Sequence, residues 1–118
     1  MATPNIVNVA TINAKNAAGA ITTSRAAAVD VPAEKVAKIN TILIANIDGT
    51  NAADVTIEVS IDNGSNYVAI DKTISIPADA TLSFLENPIY LDETDLLAVT
   101  ASANSDLTYF FSYEEITD

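Results

Sequence analysis

The sequence predicts an all-β fold: a single antiparallel β-sandwich of about eight strands, jelly-roll-like or immunoglobulin-like, with an extended N-terminal arm. The chain has 118 residues, which is enough for one core. Apolar and polar side chains alternate along several segments, and turn residues recur at intervals of about 8 to 12 residues. We expect the arm, or an edge strand with a long loop, to cover residues 1–31. The sandwich is expected to cover residues 32–118.

The clearest strand pattern covers residues 55–61, where apolar and polar residues alternate without interruption. Successive side chains of a strand point to opposite faces of the sheet. The apolar residues of this segment are expected to share one buried face: Val55, Ile57, Val59 and Ile61. The polar residues are expected to face water: Thr56, Glu58 and Ser60. Such alternation is typical of an antiparallel sheet with one buried face.

A tight hairpin turn is predicted at residues 62–65, because Asn63-Gly64 readily adopts the positive φ angles that such turns require. A returning strand is predicted over residues 66–70, and another over residues 72–76. The second ends at Pro77, which has no N–H to donate to a ladder. Further strands are predicted over residues 36–47, 81–85, 89–91, 96–102 and 107–116.

The first 31 residues show a weaker pattern. Apolar residues at positions 6, 7, 9 and 12 indicate a strand, and residues 26–31 are expected to return to the sheet. Residues 13–20 are small and polar without a clear period, and we interpret them as an extended arm or long loop. This N-terminal region contributes candidate interface residues: Ile6, Val7, Val9, Ile12, Lys15 and Arg25.

Charge and composition exclude several functions. The net charge is −11, from 5 basic and 16 acidic residues. So few basic residues argue against nucleic-acid binding and against an anionic membrane surface. The chain has no His and no Cys, which excludes disulfides, Ser–His–Asp triads and zinc sites built on those residues. The charge is uneven, because residues 1–29 contain no acid whereas residues 73–118 contain no base.

Two acidic loops are weak candidates for calcium, which binds six to eight oxygen ligands. One contains Asp48, Asn51 and Asp54, and the other contains Asp92, Glu93 and Asp95. Neither has EF-hand spacing, and acidic loops commonly serve solvation and turn formation. We therefore expect no cofactor and nominate no catalytic residue.

The last predicted strand is rich in aromatic residues. Alternation places Tyr109, Phe111 and Tyr113 on one face and Phe110 on the other. These three residues are candidates for a core or a subunit interface, which we favour over a carbohydrate platform.

Three short motifs occur in order along residues 36–116. They are an Asn-x-Asp-Gly loop at residues 46–49, an Ile-Pro-Ala-Asp-x-Thr turn at residues 76–81 and a Pro-Ile-Tyr-Leu-x-Glu-x-Asp corner at residues 88–95. This layout resembles small β-sandwich structural proteins of tailed bacteriophage virions, especially those of marine and cyanobacterial phages.

The resemblance implies a non-enzymatic virion protein, namely a capsid decoration or cement protein that docks on the head and stabilises it. A neck or tail accessory protein is the alternative within the virion. The implied partners are further copies of the chain, as a trimer or larger symmetric oligomer, and the major capsid protein. Such a protein is made in the host cytoplasm, and we expect no signal peptide or transmembrane segment. Alternatives of another class are a carbohydrate- or calcium-binding module and a host-encoded surface or filament subunit.

Overall fold

The computed structural model describes Val7 and residues 9–118. These residues form nine strands and no helix, so nothing in this range is a helix that could cross a membrane. The all-β prediction is confirmed. The strands are β1 (Thr11–Ile21), β2 (Ala26–Asp30), β3 (Val36–Asn46), β4 (Ala53–Ser60), β5 (Val68–Ile76), β6 (Thr81–Ser83), β7 (Ile89–Leu91), β8 (Leu96–Ala101) and β9 (Leu107–Thr117).

The strands form two antiparallel sheets packed as a sandwich. One sheet has the order β1-β9-β3, with β6 and β7 both pairing with the outer side of β3. The other sheet has the order β2-β8-β4-β5. Because β6 and β7 pair with opposite halves of β3, they act as one interrupted strand. The sandwich then has eight strands in two Greek keys, which is the jelly-roll topology.

The core lies between the two sheets and is made mainly of branched aliphatic side chains. Its largest fully buried members are Phe111, Ile21, Ile39, Ile42, Ile44, Ile57, Ile76, Leu97 and Leu107. Burial of one such side chain stabilises the fold by roughly 1.5–3 kcal/mol. Strands of both sheets contribute, so the core holds the two layers together.

The predicted hairpin turn is confirmed in detail. Asn63 and Gly64 have φ angles of 56° and 90°, and the Ser65 N–H donates to the Asp62 carbonyl at 3.3 Å. The strand that follows differs from the prediction, because β5 is one strand that starts at Val68 and includes most of the first predicted segment and all of the second. Its register with β4 shifts twice, and Thr73 within it has a φ of 54°. The two halves therefore look like separate strands in the sequence.

The alternation predicted for β4 holds at its start and fails at its end. Val55 and Ile57 are fully buried, but Ser60 is also fully buried and Ile61 is 78% exposed. The hairpin turn causes this difference by folding back over Ser60. The Ser60 hydroxyl donates to the Asp62 carboxylate at 2.9 Å and accepts from the Gly64 N–H at 2.8 Å. The face expected to be wet is thus partly covered.

Residues 13–20, interpreted from the sequence as an arm or loop, belong to strand β1. The pairing of β1 with β9 runs from Thr11↔Thr117 to Ile21↔Leu107 without a register shift. Hydrogen bonding to β9 selects the extended conformation here, although the local pattern does not. The boundary at residue 31 stays a prediction.

Candidate interaction surface

Three of the four sheet edges have features that oppose pairing with another strand. The β5 edge has two register shifts and a residue with positive φ, and β2 is only five residues long. The third edge is interrupted, because β6 and β7 have three residues each and are separated by a turn containing Pro88. Bulges, short strands and proline protect edges in natural β-proteins.

The fourth edge, β1, has none of these features. It is 11 residues long, contains no proline, and carries a single charge, on Lys15. Within the described part of the chain, β1 pairs with β9 alone. We use "the β1 edge" for the side of residues 11–21 that faces away from β9. A long and regular edge of this kind is a template for strand addition.

The backbone groups that face the β1 edge follow from the ladder. The Ile47 N–H donates to the Asp106 carbonyl at 2.7 Å, so Asp106 and every second residue after it bond toward β3. Their neighbours on β9, which include Tyr109 and Phe111, then bond toward β1. The partners of these neighbours are Gly19 and Ala17. The N–H and C=O groups that point to the open edge belong to the even-numbered residues: Ile12, Ala14, Asn16, Ala18 and Ala20.

Small apolar side chains cover the outer sheet face beside this edge. Ala14, Ala18 and Ala20 are exposed, and Ala18 lies directly opposite Phe110 in the register. Phe110 itself is 40% exposed. Large side chains therefore do not hinder a second strand that approaches β1.

The aromatic stripe predicted as a core or interface element points into the sandwich. Phe111 is fully buried, while Tyr109 and Tyr113 are half-buried and pack against the core. The rings of Tyr109 and Phe111 meet edge to face, with centroids 5.3 Å apart. A Cβ at Gly19 would lie 3.2 Å from the Tyr109 hydroxyl, so glycine allows this ring to lie across β1. Burial, together with the charge of Glu115, raises the pKa of Tyr113.

The charge of Lys15 is partly balanced within the fold. Its Nζ lies 3.9 Å from Oε1 of the buried Glu115, and the Lys35 Nζ lies 3.7 Å from the same oxygen. Lys35 also donates to the Thr117 hydroxyl at 2.9 Å. Half-exposed ion pairs of this type stabilise a fold little, but they reduce the local field. Two lysines share one carboxylate here, so this end of the β1 edge keeps a small positive charge.

Arg25, the second basic interface candidate, braces the outer face of the other sheet. Its Nε and Nη2 donate to the two carboxylate oxygens of Glu58 at 2.8 and 3.2 Å, and its guanidinium lies 4.1 Å from the ring centroid of Tyr67. The hydrogen bond to Glu58 raises the pKa of Arg25. Ala98, which lies opposite Glu58 in the register, is fully buried although it is on this outer face. Arg25 thus connects β2 to β4 across β8.

The sequence predicts that Glu58 only faces water, whereas the structure pairs it with Arg25. We expect Glu58→Lys to lower the thermal midpoint of the domain, because it places a second cation beside Arg25. Glu58→Gln should lower the midpoint less, since it keeps one hydrogen bond. Thermal melts in low and high salt measure the effect, and salt should narrow the difference between the two variants. Equal midpoints for wild type and Glu58→Lys would contradict the bracing role of Arg25.

The first acidic loop uses its side chains to fix its own backbone. The Asp48 Oδ1 accepts from the N–H groups of Thr50 and Asn51 at 2.8 and 3.3 Å. These hydrogen bonds, the one from Thr50 first, lower the pKa of Asp48. Asp54 is placed differently, on β4, where its N–H donates to the Ser102 hydroxyl at 2.9 Å. Asp48 therefore stabilises its own turn, and the Asp54 backbone anchors the loop that contains Ser102.

The second acidic loop is organised around Asp95, which is buried. Its Oδ2 accepts from the Asp92 N–H at 2.9 Å, and the Glu93 carboxylate accepts from the Glu34 N–H at 2.8 Å. Burial raises the pKa of Asp95, and the charge of Asp92 adds to this effect. Among Val7 and residues 9–118, no group of three acidic side chains is placed to hold a metal ion. Calcium binding by the six candidate residues stays a prediction.

A third carboxylate, Asp62, stabilises the hairpin turn in its ionised form, and this contribution should depend on pH. It accepts from the side-chain amide and the N–H of Asn66 at 2.8 and 2.9 Å, and these bonds lower its pKa. A lowered pKa in the fold contributes stability above the unfolded pKa, and this is lost as pH falls through the folded value. We expect Asp62→Asn to reduce the urea midpoint at about pH 7 and to show a smaller deficit at about pH 3, below the unfolded pKa of the carboxyl. An equal deficit at both pH values would contradict this role.

Three of the four remaining N-terminal interface candidates lie among the described residues. Val7 and Ile12 are exposed, Val9 is half-buried, and Ile6 lies outside the described residues. Ile12 belongs to β1 and contributes to its open edge. Sequence reasoning offered an edge strand only as one alternative for residues 1–31, and it did not nominate the exposed Phe110. The one sequence signal for the edge is the run without acidic residues over residues 11–21.

No protein-family model and no curated protein sequence matches this chain. Among solved structures, it is similar to one described as "Bacillus endospore appendages form a novel family of disulfide-linked pili". The TM-score is 0.56 at 15% identity, over 91% of this chain and 87% of that chain. This likeness shows a shared β-sandwich fold.

Two structures of a pentameric capsid protein isolated from metagenomic phage sequences are also similar. Their TM-scores are 0.43 and 0.41 at 11% and 12% identity, and each alignment covers 84% of this chain. The alignments span 59% and 63% of those chains.

Proposed function

We propose that this chain is a non-enzymatic structural subunit that assembles with copies of itself on the surface of a virion. Within that class, we favour a capsid decoration or cement protein that binds the major capsid protein, over a neck or tail accessory protein. The observation that carries the proposal is the β1 edge, which among the described residues pairs with β9 alone, on a sandwich whose other edges are shielded. The virion location is supported by the sequence motifs described above.

The use of polar side chains supports a structural role. Asp48, Asp62, Glu93 and Asp95 each accept a backbone N–H in a turn or loop. These carboxylates stabilise connections between strands. A subunit whose task is to hold a shape requires this kind of organisation.

A filament subunit is the second candidate function. The fold is shared with a protein whose description names disulfide-linked pili, over most of both chains. This chain contains no cysteine, so its copies would have to be joined by non-covalent contacts. Pairing at the β1 edge would join two copies, and a second contact elsewhere on the surface would have to extend such pairs into a filament.

Light scattering of the purified protein, electron microscopy and co-sedimentation with empty phage capsids test these candidates together. A closed oligomer that sediments with capsids supports the decoration role. Filaments in the micrographs support the second candidate and overturn the first.

A protein that is monomeric at all concentrations and ignores capsids overturns the assembly proposal. In that case, a rise in the melting temperature with Ca²⁺ or glycans would support the binding-module alternative.

A further inference from the structure

We propose that two copies of this chain pair through their β1 edges, antiparallel and about a twofold axis at Asn16. The inference rests on the proposed function, because it names the contact by which the subunit assembles. The sheet that contains β1, β9 and β3 would then continue without a break from one copy into the next. The occupant of the β1 edge is thus a second β1.

Electrostatics favour a second copy at this edge. Two chains of net charge −11 repel each other over most of their surfaces. Residues 11–21 contain no acidic residue, and their single charge, on Lys15, lies near Glu115. The nearest outer-face acid, Glu114, is opposite Lys38 in the register and accepts from the Asn40 amide at 3.1 Å. Repulsion between two copies is therefore weak along β1.

The backbone of β1 is suited to symmetric pairing. Its outward N–H and C=O groups occur at even-numbered positions, so an antiparallel copy can meet them at even-numbered positions. With the axis at Asn16, Ala14 lies opposite Ala18 of the second copy, and Ile12 lies opposite Ala20. The ladder then uses the whole length of β1, Thr11–Ile21.

The position of Lys15 distinguishes this register from its neighbour. An axis at Lys15 would place two ammonium groups directly opposite each other, which is unfavourable. With the axis at Asn16, each Lys15 lies opposite Ala17 of the second copy. Because Ala17 and Ala18 are small, they leave room for the Lys15 side chain of each copy to extend away from the contact.

Single cysteine variants test the register, because the natural chain contains no cysteine. Two residues opposite each other across an antiparallel pair have Cα atoms about 4.5–5.5 Å apart, which is within disulfide range. We expect Asn16→Cys to form a covalent dimer under mild oxidation. Ala20→Cys is the matched control, since its two copies would lie roughly 27 Å apart and should stay uncoupled.

Other coupling patterns contradict the inference. Coupling of both variants would indicate parallel pairing or random collision, and coupling of neither would place the contact elsewhere. If neither couples while light scattering still reports an oligomer, the assembly proposal stands and the β1 inference fails. If light scattering reports only monomers, both fail.

Proline variants test the backbone bonds independently. Ala18→Pro removes an N–H that points to the open edge, so the fold should be retained while dimer dissociation becomes at least tenfold easier. Ala17→Pro removes an N–H that bonds to β9 and should instead destabilise the monomer. If Ala18→Pro proves unfolded, Ala18→Lys provides a second route, because edge lysines oppose pairing without removing a donor. A folded edge variant that dimerises like wild type overturns the inference.

Discussion

Replacing Ile57 by aspartate is expected to unfold the domain at neutral pH. Ile57 is fully buried in the core, on β4 between β5 and β8. The variant loses the transfer free energy of a large aliphatic side chain, about 2–5 kcal/mol by analogy with truncation to alanine. It must also bury a carboxylate without a partner or keep it protonated. Together these costs are comparable with the whole stability of a domain, about 5–15 kcal/mol.

Circular dichroism and a urea titration measure this effect, and the chain offers a matched control. Ile61→Asp makes the same chemical change four residues away on a side chain that is 78% exposed, so it should shift the midpoint little. Ile57→Val tests packing alone and should cost about 0.5–1.5 kcal/mol. A folded Ile57→Asp variant, or an Ile61→Asp variant as damaged as it, would show that the core is misplaced.

The pair Ile57 and Ile61 also shows how far alternation predicts burial. Alternation assigns both to the buried face, and it is correct for Ile57 because β4 is central in its sheet at that point. Beyond Val59, the chain enters the hairpin turn, where hydrogen bonds of Ser60 and Asp62 decide which side chain is covered. A strand pattern carries no information about a turn that folds back over its own strand.

The β1 strand could not be predicted from its own residues. Residues 13–20 are rich in alanine, asparagine and glycine, which favour neither a strand nor a regular alternation. Pairing with β9 holds them extended, and the register partners of β9 are more than 85 residues away in the sequence. Because residues 13–20 lack alternation, the sequence also gives little indication of the β1 edge. An edge strand with small side chains looks like a loop until its partner is known.

The burial of the Asn46 amide was also not predicted from the sequence, because an asparagine before a loop is common in ordinary turns. Asn46 is the last residue of β3, and its side chain lies at the end of the sandwich opposite the β4–β5 hairpin. The Nδ2 group donates to the carbonyls of Asn51 and Ile76, both at 2.9 Å. The Oδ1 atom accepts from the Asp48 N–H at 2.9 Å. One side chain thus satisfies backbone groups of two connections.

We expect Asn46→Ala to destabilise the domain by about 3 kcal/mol, because it removes three hydrogen bonds worth about 1 kcal/mol each. It also leaves the buried Ile76 carbonyl without this donor. Asn40→Ala is the matched control on the same strand, since Asn40 is only half-buried and makes one hydrogen bond, to Glu114. It should cost about 1 kcal/mol or less. Urea titrations of both variants measure the difference, and equal losses would contradict a special role for Asn46.

Asn46→Asp separates the hydrogen bonds from the packing, because it keeps the shape of the side chain and removes its donors. The introduced carboxylate would face the carbonyl oxygens of Asn51 and Ile76, so its pKa should be raised in the fold. A raised carboxylate pKa destabilises the fold while the group is ionised, and this penalty disappears as pH falls through the folded value. The deficit relative to wild type should therefore be largest near pH 7 and shrink toward about pH 4. No deficit at any pH would mean that the donors of Asn46 contribute nothing and that its shape alone matters.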